Sequence, residues 1–159
     1  MFDTLTDFTP LTDMAALQPP LRRLHDYWQG KRKPGALPGR RDIDPIEIPQ
    51  LMPQVALVDI LREPLDYRYR LFGTRLVEVM GAERTGKRMR EVMNPAAIAA
   101  TERLLAGLIA TREPIAFAGR LFWLDKEFIR FETLVLPLAA DGETVDMAVM
   151  GLEFDLPRG

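Results

Sequence analysis

The stretch Asp42–Met89, DIDPIEIPQLMPQVALVDILREPLDYRYRLFGTRLVEVMGAERTGKRM, decides the fold. Its opening prolines, Pro45, Pro49 and Pro53, each lack a backbone donor and allow only short helical turns. The apolar run 54–61, QVALVDIL, predicts a first strand that ends in the turn residues 62–66, REPLD. In the run 67–72, Tyr67, Tyr69 and Leu71 alternate with Arg68 and Arg70, the pattern of a strand with one buried and one wet face. The two strands are expected to form an antiparallel hairpin. Gly73 stops the second strand, Thr74 suits the cap of a short helix over RLVEVM, and Gly81 closes that helix. Residues 82–93 read as short helical turns.

C-terminal to this stretch, Asn94-Pro95 supplies a helix cap followed by proline at the first helical position. The helix is expected over 95–112, with Ile98, Leu105, Leu108 and Ile109 on its inner stripe. Three strands follow at 115–124, 128–138 and 144–154, joined by the tight turns 125–127 and 141–143. On the N-terminal side, Pro19-Pro20 opens a short helix in which Leu21, Leu24 and Trp28 share a face, with Gln29-Gly30 as its stop. The expected organisation is an N-terminal arm at 1–18, extended or loosely helical, a helix and basic loop at 19–41, one domain at 42–155, and a tail at 156–159. This is an α+β plan: a five-stranded antiparallel sheet with helices on one face, plus an N-terminal amphipathic helix.

The order of elements resembles a PAS domain. More narrowly, residues 42–60 and 67–89 resemble a PAS-like family of small, often stand-alone alphaproteobacterial proteins. The likeness rests on the Asp42-Ile43-Asp44-Pro45 start, on Leu51-Met52-Pro53 before the first strand, on Arg70, Leu71, Gly73 and Thr74 at the strand–helix junction, and on the Gly86-Lys87 turn. LPLAADGETVDMAVMG at 136–151 fits the last hairpin, so the resemblance covers about residues 20–154. It implies a sensory or adaptor module with a pocket between sheet and helices, and it names no ligand. Since no effector fits in the residues after Phe154, output is expected to pass to a separate signalling protein.

Composition narrows the chemistry. The chain has 159 residues, no cysteine, one histidine and a formal net charge of −2. Without cysteine there is no disulfide framework, thiol nucleophile, cysteine zinc site or cysteinyl flavin. His25 alone excludes a multi-histidine metal centre. The resemblance would put a haem histidine on the long helix or a nearby loop, and 95–112 has none. Non-covalent flavin or a small organic acid stays open. No P-loop is read in ERTGKRM at 83–89. The N-terminus MFDTLTDFTPLTD is not a secretory signal, and the longest apolar run, Leu134–Ala140, is far short of a membrane span. A cytoplasmic, non-enzymatic protein is the expectation.

Charge is uneven. Arg22–Arg41 holds seven basic residues against Asp26 alone. This block reads as a solvated loop; its alternative is a nucleic-acid-associated regulator using residues 22–41. A small NTF2-like α+β enzyme is the remote alternative, and His25 stands too early in the chain for it.

The candidate ligand-binding residues on the inferred inner faces are Tyr69, Leu71, Leu76, Met80, Leu105, Ile109, Trp123 and Phe131. Tyr69, Phe117, Trp123 and Phe131 suit either a pocket wall or plain core, as do the pliable Met80, Met147 and Met150. Arg68, Arg70, Arg120 and Arg130 are expected on the open sheet face, with Glu132 paired to one of them and Phe72 and Phe122 between them. The helix carrying Leu21, Leu24 and Trp28 is too short to stand alone, since isolated helices below about 12–15 residues are marginal. The trio must dock on the chain's own sheet or on a partner's across a two-fold axis. A homodimer using these three residues is the expectation.

Overall fold

The computed structural model describes residues 5–123 and 127–155, with side chains at 8–121 and 129–155. Among these, six strands form one antiparallel sheet in the order β1-β4-β5-β6-β2-β3. The strands are β1 (Leu5–Leu11), β2 (Val55–Leu61), β3 (Asp66–Phe72), β4 (Ile115–Trp123), β5 (Glu127–Leu138) and β6 (Met147–Asp155). The helices are α1 (Pro19–Lys31), α2 (Thr74–Met80), α3 (Met89–Val92) and α4 (Pro95–Thr111). Short 3-10 turns starting at Pro45 and Met52 carry the proline-rich entry into β2.

Two caps follow the sequence, whereas Thr74 does not cap α2 as expected: it is the helix's first residue, and Gly73 holds the cap position. Asn94 accepts a hydrogen bond from the Ala97 N–H at 2.7 Å, with Pro95 opening α4. Gly81 takes φ +79° to end α2, a left-handed conformation that glycine adopts without a Cβ clash. Gly73 serves for another reason. A Cβ there would run into the backbone carbonyl oxygens of Pro53 and Met52, so the β3–α2 junction closes only on a residue without a side chain.

The expected five-stranded sheet is corrected to six. The arm at 1–18 supplies the extra strand, β1, which pairs with β4 from Leu5↔Leu121 to Leu11↔Ala116. In doing so it satisfies backbone groups along β4 that would otherwise form an open edge.

Helices α2, α3 and α4 share one face of the sheet, and the N-terminal helix takes the other. Strand alternation puts Met150 and Leu152 on one face of β6 and Gly151 on the other. Helices α2, α3 and α4 cover the Met150 face. Helix α1 covers the Gly151 face, where a Cβ on Gly151 would meet Leu24 and Leu21 side-chain atoms at 2.7 and 2.9 Å. Trp28 is wholly buried there and donates its indole N–H to the Pro137 carbonyl at 2.9 Å. Leu21, Leu24 and Trp28 therefore bury themselves against the chain's own sheet. Within the chain itself all three are buried.

Glu132 does not pair with an arginine as expected. It accepts the Gln18 N–H at 2.9 Å and so anchors the start of α1 to β5.

Candidate functional site

The inner face of the sheet is built from residues of all six strands: Phe8 on β1, Ala56 on β2, Tyr69 and Phe72 on β3, Phe117 on β4, Phe131 and Thr133 on β5, and Met150 and Leu152 on β6. The rings interlock. Phe117 and Phe131 meet edge to face at 6.2 Å, Phe8 lies 5.3 Å from Phe117, and Tyr69 meets Phe72 at 5.2 Å. Helices α2, α3 and α4 close the other side with Met80, Met89 and Thr101, and Met93 follows α3.

A cavity remains between these walls. Its volume is about 30 Å3. It is narrow, and four methionines bound it. Their unbranched thioether chains repack at little cost, so the wall is adaptable.

The polar groups are few. Thr133, with no exposed surface, has its hydroxyl oxygen buried without a hydrogen-bond partner. Thr101 and Tyr69 add two further hydroxyl side chains to the lining. Burial pushes the Tyr69 phenol well above its ordinary value, which keeps it neutral and able to donate. Among the described residues, no charged side chain lines the cavity. Arg84 is buried behind Phe72, its guanidinium 5.5 Å from the ring centre, and burial lowers its pKa to about 10.

Of the residues expected here, Tyr69, Met80 and Phe131 line the cavity, and Phe117 and Met150 join them. Leu76 and Leu105 are fully buried core residues away from the lining, and Ile109 is half-buried outside it. Leu71 is a correction. The β2–β3 register runs Leu57↔Leu71 and then Val58↔Tyr69, so Arg70 is an extra residue in a bulge. The bulge reverses the alternation, turning Phe72 inward and Leu71 outward. Phe72 therefore does not lie on the outer face as expected. The side chains of Trp123 and Phe122 lie outside the described residues.

Phe8, Met89, Met93, Thr101, Thr133 and Leu152 were not among the expected lining residues. A signal existed for two of them. Thr101 falls four residues from both Ala97 and Leu105 on the buried stripe of α4, and Thr133 falls between Phe131 and Val135 on the buried register of β5. Each is a hydroxyl where the pattern asks for an apolar side chain.

The arginines occupy the other face. Arg68 and Arg70 bond the buried Asp59 carboxylate at 3.1 and 3.0 Å, while Arg88 bonds Asp66 at 3.1 Å. The basic block 22–41 is partly tied down. Lys31 pairs with Glu47 at 3.0 Å, and Arg32 pairs with Glu113 at 3.3 Å and stacks over Trp28. His25 is partly buried beside Trp28, its ring nitrogen 3.8 Å from the exposed Asp26 carboxylate. Among the described residues, no group of three or more His, Asp or Glu side chains is placed to hold a metal, and no helix is long and apolar enough to cross a membrane.

The family model described as a PAS domain matches residues 16–152. No curated protein matches the chain. The match spans most of the sequence, including α1 and five of the six strands, and the chain belongs to the PAS domain family. Its role is that of a PAS-type sensory or adaptor domain.

Proposed function

We propose that this PAS domain acts in the cytoplasm as a small-molecule sensor, taking an apolar ligand between the sheet and α2–α4 and passing the signal to a separate protein. The cavity carries the reading. In a sheet whose other face carries α1 directly on β5 and β6, the inner face keeps an almost wholly apolar space bounded by methionines. Ligand sites have this character: concave, mainly apolar, with a few placed polar groups.

Occupancy reaches the surface through short elements. Met80 ends α2, and Met89 opens α3, so a ligand that displaces either side chain presses on a helix of seven or four residues. Such elements move at lower cost than the six-stranded sheet. Native mass spectrometry of the full chain, purified without detergent, tests the reading. An added mass that disappears on denaturation is expected. A bare chain mass, together with no rise in melting temperature across a panel of small apolar compounds, would overturn it.

A further inference from the structure

From the wall of that cavity we infer the class of ligand: a small neutral molecule with an apolar body and one hydrogen-bonding group, held by the Thr133 hydroxyl. The inference rests on the cavity being a ligand site. It adds which chemistry fits and which residue reads it.

Thr133 sits in the middle of β5, paired with Phe117 on one side and Leu152 on the other. Its side chain has no exposed surface, and its oxygen has no hydrogen-bond partner. A valine would fill the same shape without that cost, because burying a hydroxyl unpaired is unfavourable. Both neighbours on the same face, Phe131 and Val135, are apolar. A hydroxyl kept in such a position, on the wall of an enclosed space, is matched to something that enters the space. It can donate or accept one bond, so an alcohol, carbonyl or amide each satisfies it.

The rest of the lining fixes the remainder of the ligand. Four methionines and the Phe8, Phe117 and Phe131 rings accept a flexible apolar body. No cationic side chain stands among the described lining residues, so a carboxylate there would lose its water without gaining a partner charge. Arg84 lies across the Phe72 ring and outside the lining.

The probes are 1-hexanol, hexane and hexanoate, with binding followed by calorimetry and by native mass spectrometry on the full chain. Thr133→Val keeps shape and removes the hydroxyl, and Thr133→Ser keeps the hydroxyl and removes a methyl. We expect Thr133→Val to weaken hexanol by about threefold to tenfold, the worth of one neutral hydrogen bond, and to leave hexane unchanged. Thr133→Ser retains the preference of the parent, and hexanoate does not bind. Equal effects of Thr133→Val on hexanol and hexane, or no effect on either, would show that the hydroxyl does not read the ligand. Hexanoate binding more tightly than hexanol would replace the neutral class with an anionic one. In those outcomes the cavity remains a ligand site. If neither hexanol nor hexane binds the parent protein at saturating concentration, the sensor reading itself fails, and this inference with it.

Discussion

The two faces of one sheet are covered in opposite ways. On the outer face α1 lies directly on β5 and β6, with Leu21 and Leu24 against the bare backbone of Gly151 and Trp28 bonded to the Pro137 carbonyl. Leu134, Leu136 and Leu138 beneath it have no exposed surface. On the inner face three helices and a ring of methionines stand off from the same strands and enclose a cavity. The difference lies in the side chains. A glycine on the strand lets a helix come close, whereas phenylalanines and methionines on both sides hold the layers apart and leave flexible ends between them. The outer face secures the fold, and the inner face is free to change.

If that division is right, truncation on the two faces has unequal cost. Trp28→Ala should cost about 3–5 kcal/mol, since it leaves a large hole under α1 and an unmatched Pro137 carbonyl. Met150→Ala on the inner face should fall near the low end of about 2–5 kcal/mol, because its surroundings already contain space and mobile neighbours. Urea denaturation of both variants measures this. Equal losses would break the comparison.

Filling should reverse the order of the faces. Gly151→Ala puts a Cβ within 2.7 Å of Leu24 and should cost about 1–3 kcal/mol, limited by how far the two leucine ends can swing aside. Ala56→Val extends a side chain toward the cavity and should be neutral or gain up to about 2 kcal/mol, as cavity-filling changes do. It should also lower hexanol affinity, since the added methyls occupy the ligand's place. A destabilised Ala56→Val protein would mean that the inner space is not available for filling. Gly107→Ala supplies a control away from both faces. Nothing lies within 4 Å of the added Cβ, and replacing a mid-helix glycine should stabilise α4 by about 0.5–1 kcal/mol.

The sequence carried the inner face unevenly. Strands β2 to β6 and helices α2 and α4 were readable because their caps and alternation are local: Gly73 and Gly81 around α2, Asn94-Pro95 before α4, and the period of two along β5. Strand β1 was not, because Leu5–Leu11 becomes a strand only by pairing with β4, more than a hundred residues later. The placement of Leu71 and Phe72 failed for a different reason. The bulge at Arg70 is set by the register of β3 on β2, and a single strand's alternation does not contain it. The docking face of α1 was readable as a need to be buried. Its target was not, since only the folded sheet shows that Gly151 makes room for Leu21 and Leu24. Thr133 and Thr101 stood in plain view as hydroxyls on apolar registers, and their meaning comes only from the cavity they share.

The polar fringe of the outer face gives the smallest and most discriminating test. Glu153 stands directly opposite Glu132 and accepts a hydrogen bond from the Gln54 side chain at 2.5 Å. Burial is the main cause that raises its pKa above the ordinary carboxylate value, with the charge of Glu132 adding to it and the Gln54 bond and Arg75 opposing. A raised folded-state pKa means that the folded chain holds this proton to higher pH than the unfolded chain. The contribution of Glu153 to stability is therefore most favourable below the ordinary carboxylate pKa, and it is lost as pH rises through the folded-state value. At neutral pH the ionised group is a net cost. Glu153→Gln removes the charge and keeps an acceptor for Gln54, so the variant should be the more stable at pH 7, and its advantage should shrink as the pH is lowered toward 4. Denaturation midpoints of parent and variant across that range decide it. A parent protein that gains stability relative to the variant as pH rises would show that Glu153 is held as a useful anion. The outer face would then owe part of its rigidity to charge, and not to the packing of α1 alone.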